Sequence, residues 1–268
     1  MTAHLSSAEI TSLQDTAHKL ADAAREAILP YFRADTLKIA SKDEAGFDPV
    51  TQADRAAESA MRELLAVLRP DDAILGEEYG TKPGTTGFTW ILDPIDGTRG
   101  FLSGTPVWGV LIGVTDTASN VVMGVIDQPY IGERFWGGFG QAQMTGPFGE
   151  RALAVRGTKA LESAILFSTF PEVGTSQEQA AFQRVASQCK LTRYGCDCYA
   201  HALLAAGQID LVIEAGLHSY DIVGPIGVIE AAGGIVTNWQ GASCLDGGQV
   251  IAAATPELHA AALELLAG

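Results

Sequence analysis

Apolar and polar residues alternate along the chain with two periods, one typical of helices and one typical of strands. Apolar residues recur at helical spacing through 6–33, which opens on a capping-box pattern of Ser6 with Glu9, so an amphipathic helix is predicted there. A second helix is predicted over 51–68. Between them, the segment 40–50 contains glycine, aspartate and proline, which is typical of a loop.

Short apolar runs follow these helices and favour strands. The runs at 73–76 and 88–92 are bounded by polar residues, and the second ends at an Asp-Pro pair. The valine-rich segment 107–125 is punctuated by glycine and predicts paired strands. A glycine cluster at 137–140 predicts a turn that precedes further strand.

From about residue 155 onward, strand and helix patterns alternate. The predicted strands are 164–168, 209–214 and 234–237, and the predicted helices are 177–189, 198–206, 222–232 and 257–266. This alternation predicts a layered α/β or α+β architecture. No clear linker interrupts the chain, so we expect one domain over 1–268, with a soft boundary near residue 150 between two subregions.

The composition is that of a folded globular protein. The chain has 268 residues, 47% of them hydrophobic, which allows a substantial core and argues against disorder. No run approaches the roughly 20 apolar residues that a membrane helix needs, and the N-terminus lacks a signal-peptide pattern. Four cysteines are too few for a disulfide scaffold and are typical of reduced thiols. We therefore expect a cytoplasmic protein with no membrane partner.

Acidic residues outnumber basic residues by 32 to 17, which gives a formal net charge of −15. A nucleic-acid binder needs a basic face, so we expect no nucleic-acid partner. The charge is compatible with phosphate chemistry if several carboxylates hold divalent cations. The chain has no P-loop, G-x-S-x-G or H-E-x-x-H pattern, and no G-x-G-x-x-G after a predicted strand. The lone C-x-C pair, Cys196 with Cys198, favours buried thiols over a zinc site.

Carboxylates stand at the ends of three apolar runs: Glu77 in G-E-E, Asp93 and Asp96 in D-P-I-D-G-T, and Asp221 before a predicted helix. Each alone fits a surface pair, a turn or a helix cap. Together they favour a shared site, because buried carboxylates need a compensating charge and their oxygens suit Mg²⁺. Gly97 allows a tight turn, and a helix that starts there would offer free N–H groups to an anion.

These motifs resemble the inositol monophosphatase family, and the resemblance extends over nearly the whole chain. Within the family, the chain most resembles the histidinol-phosphate phosphatase branch. The segments that carry this likeness are 46–51, 98–104, 194–199 and 214–221. Tyr220 stands where the family usually has tryptophan, a departure that weakens an inositol assignment more than it weakens phosphatase chemistry. The resemblance implies an αβαβα five-layer sandwich of the inositol monophosphatase and fructose bisphosphatase type.

The resemblance also implies a site with two or three Mg²⁺ ions, mostly in the 1–150 half of the chain. Thr98 would orient a metal-activated water, and Asp54 would be its hydrogen-bond partner and proton acceptor. Glu77 would be both catalytic and a ligand. The implied metal ligands are Glu77, Asp93 and the Ile95 carbonyl for the first ion, and Asp93, Asp96 and Asp221 for the second, with a weaker third ion at Glu77.

The substrate would be a small phosphorylated metabolite, with its organic part facing the 151–268 half. Backbone N–H groups near Gly97 and Thr98 would hold the phosphate. Lys42 matches a mobile loop of the family and would help to close the site, or else it is a solvated lysine. Substrate contacts are also expected from three further residues, Asp197, Glu214 and Arg99.

Alternatives also stay open at Asp197 and Arg99. Asp197 fits a helix cap as well as an acidic partner for a cationic substrate. Arg99 fits a phosphate contact or a contact with a neighbouring carboxylate. Glu214 matches a family position that touches the organic part of the substrate.

The implied activity is hydrolysis of L-histidinol phosphate in L-histidine biosynthesis, by a homodimer. The alternative is an inositol-1-phosphate or broad sugar-phosphate monophosphatase with the same metal site. A non-catalytic regulatory protein on this fold is disfavoured, because the implied ligands and the catalytic threonine are all present in the sequence.

Overall fold

A computed structural model of the chain describes residues 5–34, 39–41 and 49–268. Seven α-helices lie within these ranges. No helix of the described ranges is both long enough and apolar enough to cross a membrane. The helices are α1 (Ser7–Ile28), α2 (Gln52–Leu68), α3 (Thr98–Ser103), α4 (Ser176–Ala186), α5 (Asp197–Ala205), α6 (Ser219–Ala231) and α7 (Pro256–Ala267).

The strands form two mixed sheets and one short antiparallel pair. The pair is β1 (Ile39–Ser41) with β2 (Pro49–Thr51). The other strands are β3 (Ala73–Gly76), β4 (Gly80–Lys82), β5 (Thr89–Asp96), β6 (Gly109–Thr115), β7 (Val121–Gln128), β8 (Glu133–Gly138), β9 (Gln141–Gly146), β10 (Gly149–Ala152), β11 (Ile165–Ser168), β12 (Leu191–Tyr194), β13 (Leu211–Leu217), β14 (Ile235–Thr237) and β15 (Gly248–Ala253).

The order of strands separates the two sheets along the chain. The eight-stranded sheet runs β10-β9-β8-β7-β6-β5-β3-β4, and only β3 with β5 is a parallel pair. The five-stranded sheet runs β12-β11-β13-β15-β14, with β11 parallel to both of its neighbours and β15 antiparallel to both of its own. The expected soft boundary near residue 150 lies in β10, the last strand of the eight-stranded sheet, and the five-stranded sheet begins with β11. The single domain and its subregions stay a prediction.

Helices and sheets stack in five layers. Helices α1 and α2 cover one face of the eight-stranded sheet with the apolar residues of a first core. Helices α5 and α6 lie between the two sheets in a second core. Helices α4 and α7 cover the outer face of the five-stranded sheet in a third. The αβαβα arrangement is therefore confirmed.

Helix α6 lies unusually close to the eight-stranded sheet. A Cβ atom on Gly124 of β7 would overlap the carbonyl oxygen of Gly224, and one on Gly227 would overlap the backbone nitrogen of Gly124. Backbone therefore packs on backbone, with no side chain between. Because the helix is held at this short separation, its first turn is fixed relative to the strands of the sheet.

The sequence predictions agree with most elements, and the differences have local causes. Strand β3 has the predicted bounds. Helix α1 ends at Ile28 rather than at 33, because Pro30 cannot continue the hydrogen-bond ladder. Strand β5 runs past the Asp-Pro pair to Asp96. The segment predicted as a loop contains β1 and β2 at its edges, and 42–48 lies outside the described residues.

The middle layer contains a histidine that should make stability depend on pH. His201 of α5 is 3% exposed, and neither ring nitrogen has a hydrogen-bond partner among the described residues. Burial lowers the pKa of His201 to about 4. In the unfolded chain the His201 imidazole is protonated below about pH 6.5, whereas in the folded protein it stays neutral down to about pH 4. We therefore expect the free energy of unfolding to fall by about 3 kcal/mol from this residue as pH falls through this window.

Urea unfolding of His201→Leu tests this expectation. The experiment is run with a chelator at pH values between about 6.5 and 4. The variant lacks the titrating group, so its free energy of unfolding should fall less steeply with decreasing pH than that of the parent protein. Parallel curves for the two proteins would contradict the prediction.

Candidate active site

Two carboxylates lie at the end of β5, on either side of an irregular strand segment. Asp93 lies opposite Leu111 of β6, and Asp96 lies opposite Gly109, so the register shifts between them. Pro94 falls within this irregularity, which is where a strand tolerates a residue without an N–H group. Asp93 is only 2% exposed, so the strand places its carboxylate in the interior.

The third carboxylate comes from the other half of the chain. Asp221 lies in the first turn of α6, and its Oδ2 accepts the backbone N–H of His218 at 2.6 Å. One carboxylate oxygen from each of Asp93, Asp96 and Asp221 lies within 4.8 Å of the others. The structure therefore brings together three predicted metal ligands that are far apart in sequence.

Burial and mutual repulsion disfavour the charged forms of this cluster. Burial, and next the charges of Glu77 and Asp96, raise the pKa of Asp93 well above its usual range. Burial, and next the charge of Asp197, raise the pKa of Asp96 in the same way. Burial also raises the pKa of Asp221, against the hydrogen bond from the His218 N–H.

The cluster has the chemistry of a cation site. The Oδ1 atom of Asp93 is buried and has no hydrogen-bond partner among the described residues. A buried carboxylate oxygen without a donor is unfavourable unless a cation compensates it. Hard divalent cations such as Mg²⁺ prefer carboxylate oxygens. The residues present therefore fit a metal ion.

Two further predicted residues lie near this cluster. The backbone N–H of Glu77 donates to the carbonyl of Leu92 at 3.2 Å, so Glu77 continues the parallel pairing of β3 with β5. Asp54 lies in the first turn of α2 and is 2% exposed. The charges of both residues contribute to the raised pKa of Asp93. The structure thus gathers Glu77 and Asp54 around the same carboxylate.

The predicted turn at Gly97 starts a helix. Gly97 has a left-handed φ of 83° and is the N-cap residue of α3. A Cβ atom there would lie 2.9 Å from Cγ of Asp197, so this position favours glycine on two grounds. The hydroxyl of Thr98 donates to the Ile95 carbonyl at 3.2 Å. The first helical residue and a predicted ligand carbonyl are therefore in contact.

Asp197 and Arg99 lie next to this turn. Helix α5 begins at Asp197 and its N-cap residue is Cys196, so the alternative of Asp197 as the helix cap is wrong. Burial raises the pKa of Asp197 to about 6, and the nearby positive charge of Arg99 opposes this rise. The Arg99 guanidinium also lies 4.9 Å from the ring centroid of Phe170. Arg99 therefore lies close enough for its charge to act on the Asp197 carboxylate. Its contact with phosphate stays a prediction.

Glu214 is buried on β13 and is held by the last residue of β11 and the residue after it. Its Oε1 accepts the backbone N–H of Thr169 at 2.7 Å, and its Oε2 accepts the Ser168 hydroxyl at 3.2 Å. Burial raises its pKa to about 7 in spite of these bonds, and the charge of Asp197 contributes. The charge of Asp197 therefore acts on Glu214, although the two residues come from different elements.

Two groups of this region were missed in the sequence. The backbone N–H of Cys198 donates to Oδ2 of Asp96 at 2.6 Å, so the start of α5 supports a cluster carboxylate. Glu58 of α2 binds the turn that carries Glu77. Its spacing of one helical turn from Asp54 was the signal that could have revealed it. Lys42 lies outside the described residues.

Clustered carboxylates beside the start of a helix are an arrangement with which metal-assisted enzymes bind and cleave a phosphate ester. The fold and the site thus define a phosphomonoester hydrolase. The family model of the inositol monophosphatase family matches residues 9–267, and the chain belongs to this family.

Similar proteins have been named for more than one substrate. The chain is 39% identical over 274 residues to the bifunctional phosphatase IMPL2, chloroplastic, of Arabidopsis thaliana, with 98% of this chain and 77% of that protein covered. It is 34% identical over 236 residues to the histidinol-phosphatase of Mycobacterium tuberculosis, with 87% and 90% covered. A solved structure of an inositol monophosphatase from Zymomonas mobilis matches with a TM-score of 0.84 at 36% identity, covering 98% of this chain and 100% of that one.

Proposed function

We propose that the protein is a Mg²⁺-dependent phosphatase that hydrolyses L-histidinol phosphate to L-histidinol and phosphate. It would act in the cytoplasm, in L-histidine biosynthesis, and as a homodimer. The observation that carries the proposal is the cluster of Asp93, Asp96 and Asp221, in which Asp93 is buried and its Oδ1 lacks a partner among the described residues. The relative named histidinol-phosphatase supports the choice of substrate.

The acidic side chains would hold two Mg²⁺ ions, with a weaker third at Glu77. Four carboxylates bring four negative charges, which two divalent cations neutralise. When bound, the ions lower the pKa of the attacking water and neutralise the charge that develops on the phosphoryl group. The proposed ligands are Glu77, Asp93 and the Ile95 carbonyl for one ion, and Asp93, Asp96 and Asp221 for the other.

The chain itself would position the reactants and move the proton. Thr98 would orient the attacking water through its hydroxyl, and Asp54 would accept the proton that the water releases. Backbone N–H groups near Gly97 and Thr98 would hold the phosphate in line with the attack. Water attacks phosphorus directly, so no phosphorylated enzyme is needed.

An acidic surface is expected at the organic end of histidinol phosphate, because this end carries an amine and an imidazole. Asp197 and Glu214 supply it, and the influence of Asp197 on the pKa of Glu214 supports a shared environment. Arg99 would pair with Asp197, and the contribution of its charge to the pKa of Asp197 supports this role.

The second candidate is hydrolysis of inositol-1-phosphate or of sugar phosphates in general. It is favoured by the likeness to the Zymomonas mobilis inositol monophosphatase at 36% identity. The metal chemistry would be the same in both cases. The two candidates differ in whether Asp197 and Glu214 recognise a cationic group on the substrate.

The ratio of kcat/KM for the two substrates tests the choice. We expect a preference of about a hundredfold or more for histidinol phosphate, which is roughly 2.7 kcal/mol, and loss of both activities in chelator. Asp197→Asn should lower kcat/KM for histidinol phosphate by about tenfold or more, since a hydrogen bond to a charged group is lost. Inositol-1-phosphate has no cationic group and is the matched control.

Three other outcomes would change the proposal in different ways. Comparable rates for the two substrates would favour the second candidate and leave the metal chemistry intact. An equal loss for both substrates in Asp197→Asn would remove its role in selectivity. Full hydrolysis in excess chelator would overturn the metal dependence.

A further inference from the structure

A buried glutamate on α2 binds the turn that carries Glu77. Glu58 is 0% exposed, and its carboxylate faces the segment after β3. Its Oε2 accepts the backbone N–H of Glu78 at 2.6 Å, and its Oε1 accepts that of Tyr79 at 3.2 Å. The Nε of Arg62 donates to the same Oε1 at 2.7 Å. Two of these three hydrogen bonds hold the turn, and the third joins the carboxylate to Arg62 of the same helix.

Gly76 makes room for this carboxylate. A Cβ atom on Gly76 would overlap Oε1 of Glu58. The backbone of Gly76 is not in the left-handed region, so a side chain is excluded here by the glutamate and not by strain. The glycine of the G-E-E motif thus belongs to the same arrangement as Glu58.

Arg62 of α2 also contacts this turn. Its Nη2 donates to the carbonyl of Gly80, and its guanidinium lies 5.9 Å from the ring centroid of Tyr79. The turn is therefore bound to α2 through two backbone N–H groups, one carbonyl and one ring. Glu77 stands between the glycine that makes room for Glu58 and the first N–H that Glu58 binds.

Asp54 and Glu58 are four residues apart on α2, so they lie on one face of the helix, one turn apart. Asp54 acts directly on the carboxylate cluster, since its charge contributes to the raised pKa of Asp93. Glu58 acts on the cluster indirectly, because it binds the turn that carries Glu77. One rigid helix thus sets both Asp54 and the backbone of Glu77.

We propose that Glu58 is a positioning residue that holds Glu77 ready to bind a divalent cation. The inference rests on the proposed function, in which Glu77 is a metal ligand. Without the Glu58 carboxylate, two backbone N–H groups lose their acceptor and the Glu77 carboxylate must be ordered when the cation binds. Groups that orient a ligand typically change metal affinity by 10–100-fold when they are removed.

The test compares Mn²⁺ affinity among variants by isothermal titration calorimetry, without substrate. In Glu58→Gln the amide cannot accept both backbone N–H groups and still pair with Arg62. We expect Mn²⁺ binding about 10–100-fold weaker. We also expect the Mg²⁺ concentration for half-maximal activity to rise by a similar factor, while kcat at saturating Mg²⁺ falls much less.

Asp72→Asn is a matched control at the other end of β3. Asp72 is 1% exposed and accepts from Arg69 Nε at 2.6 Å, from the Thr86 hydroxyl at 2.6 Å and from Trp90 Nε1 at 2.8 Å. This variant removes a buried carboxylate that supports the same strand without touching the turn. It should lower thermal stability and leave Mn²⁺ affinity unchanged.

Gly76→Ala disturbs the contact between Glu58 and the turn from the side of the strand. It replaces Glu58→Gln as the test variant if Glu58→Gln does not fold. It should weaken Mn²⁺ binding in the same direction, because the new methyl group displaces the Glu58 carboxylate. Unchanged Mn²⁺ affinity in both variants, or equal weakening in Asp72→Asn, would overturn the positioning role. Unchanged affinity in Glu77→Gln would overturn the ligand set itself, and with it the role of Glu58.

Discussion

Asp93→Asn should lose at least about a thousandfold in kcat/KM while making the metal-free protein more stable. Asp93 is the carboxylate that both proposed ions share, so its loss removes several kcal/mol of transition-state stabilisation. Without metal, the same substitution relieves repulsion: the pKa of Asp93 is raised by burial and then by Glu77 and Asp96. Activity assays in Mg²⁺ and urea unfolding in chelator measure the two effects.

Asp127→Asn is the control for this result. Asp127 is also 0% exposed and lies in the same sheet, but it bonds to Arg25 at 2.7 Å and to Arg134 at 2.6 Å. Removing one partner of a buried ion pair should lower stability by about 3 kcal/mol, with or without metal. If Asp93→Asn also destabilised the metal-free protein, the cluster would not be a site that needs a cation.

Thr98→Ala and Asp54→Asn should each lower kcat/KM by a factor of about 10² to 10⁴, and the double variant should lose hardly more than either. The proposed roles explain this: Thr98 orients the water, and Asp54 accepts its proton, so the two act as one unit. The measurement is kcat/KM of all three variants at saturating Mg²⁺, with Mn²⁺ affinity determined separately.

Thr105→Ala is the matched control for the hydroxyl. Thr105 donates to the Gly100 carbonyl at 3.0 Å, as Thr98 donates to the Ile95 carbonyl at 3.2 Å. Only Thr98 has a catalytic assignment, so Thr105→Ala should keep near-normal activity. Losses that multiply in the double variant would show that Thr98 and Asp54 act independently.

Much of the site was predictable because its carboxylates interrupt apolar runs. Asp93 and Asp96 stand where a buried strand would otherwise continue, and such a placement needs a compensating cation. Glu58 interrupts no apolar run, and its only signal is the spacing of one helical turn from Asp54. It lies on an amphipathic helix where an acidic residue is ordinary, and its partners are backbone N–H groups about 20 residues away. Backbone donors have no signature in a sequence.

The fold shows the same division between local and distant causes. Strand β3 and the two long helices at the start follow from periodicity, which is local. Strand β15 was missed, because two glycines open the segment and three alanines in a row end it, which weakens both periods. Its place between β13 and β14 depends on contacts across the chain, which periodicity does not contain.

The glycine contacts between α6 and β7 have a consequence for reading mutational scans of this enzyme. Because backbone packs on backbone there, the separation of helix and sheet sets how far Asp221 reaches toward Asp93. Substitutions at Gly124 or Gly227 would therefore abolish activity as completely as substitutions of the proposed metal-binding residues. A scan scored on growth alone would therefore count these glycines with the catalytic residues. Measuring protein abundance in parallel would separate residues needed for folding from residues needed for catalysis.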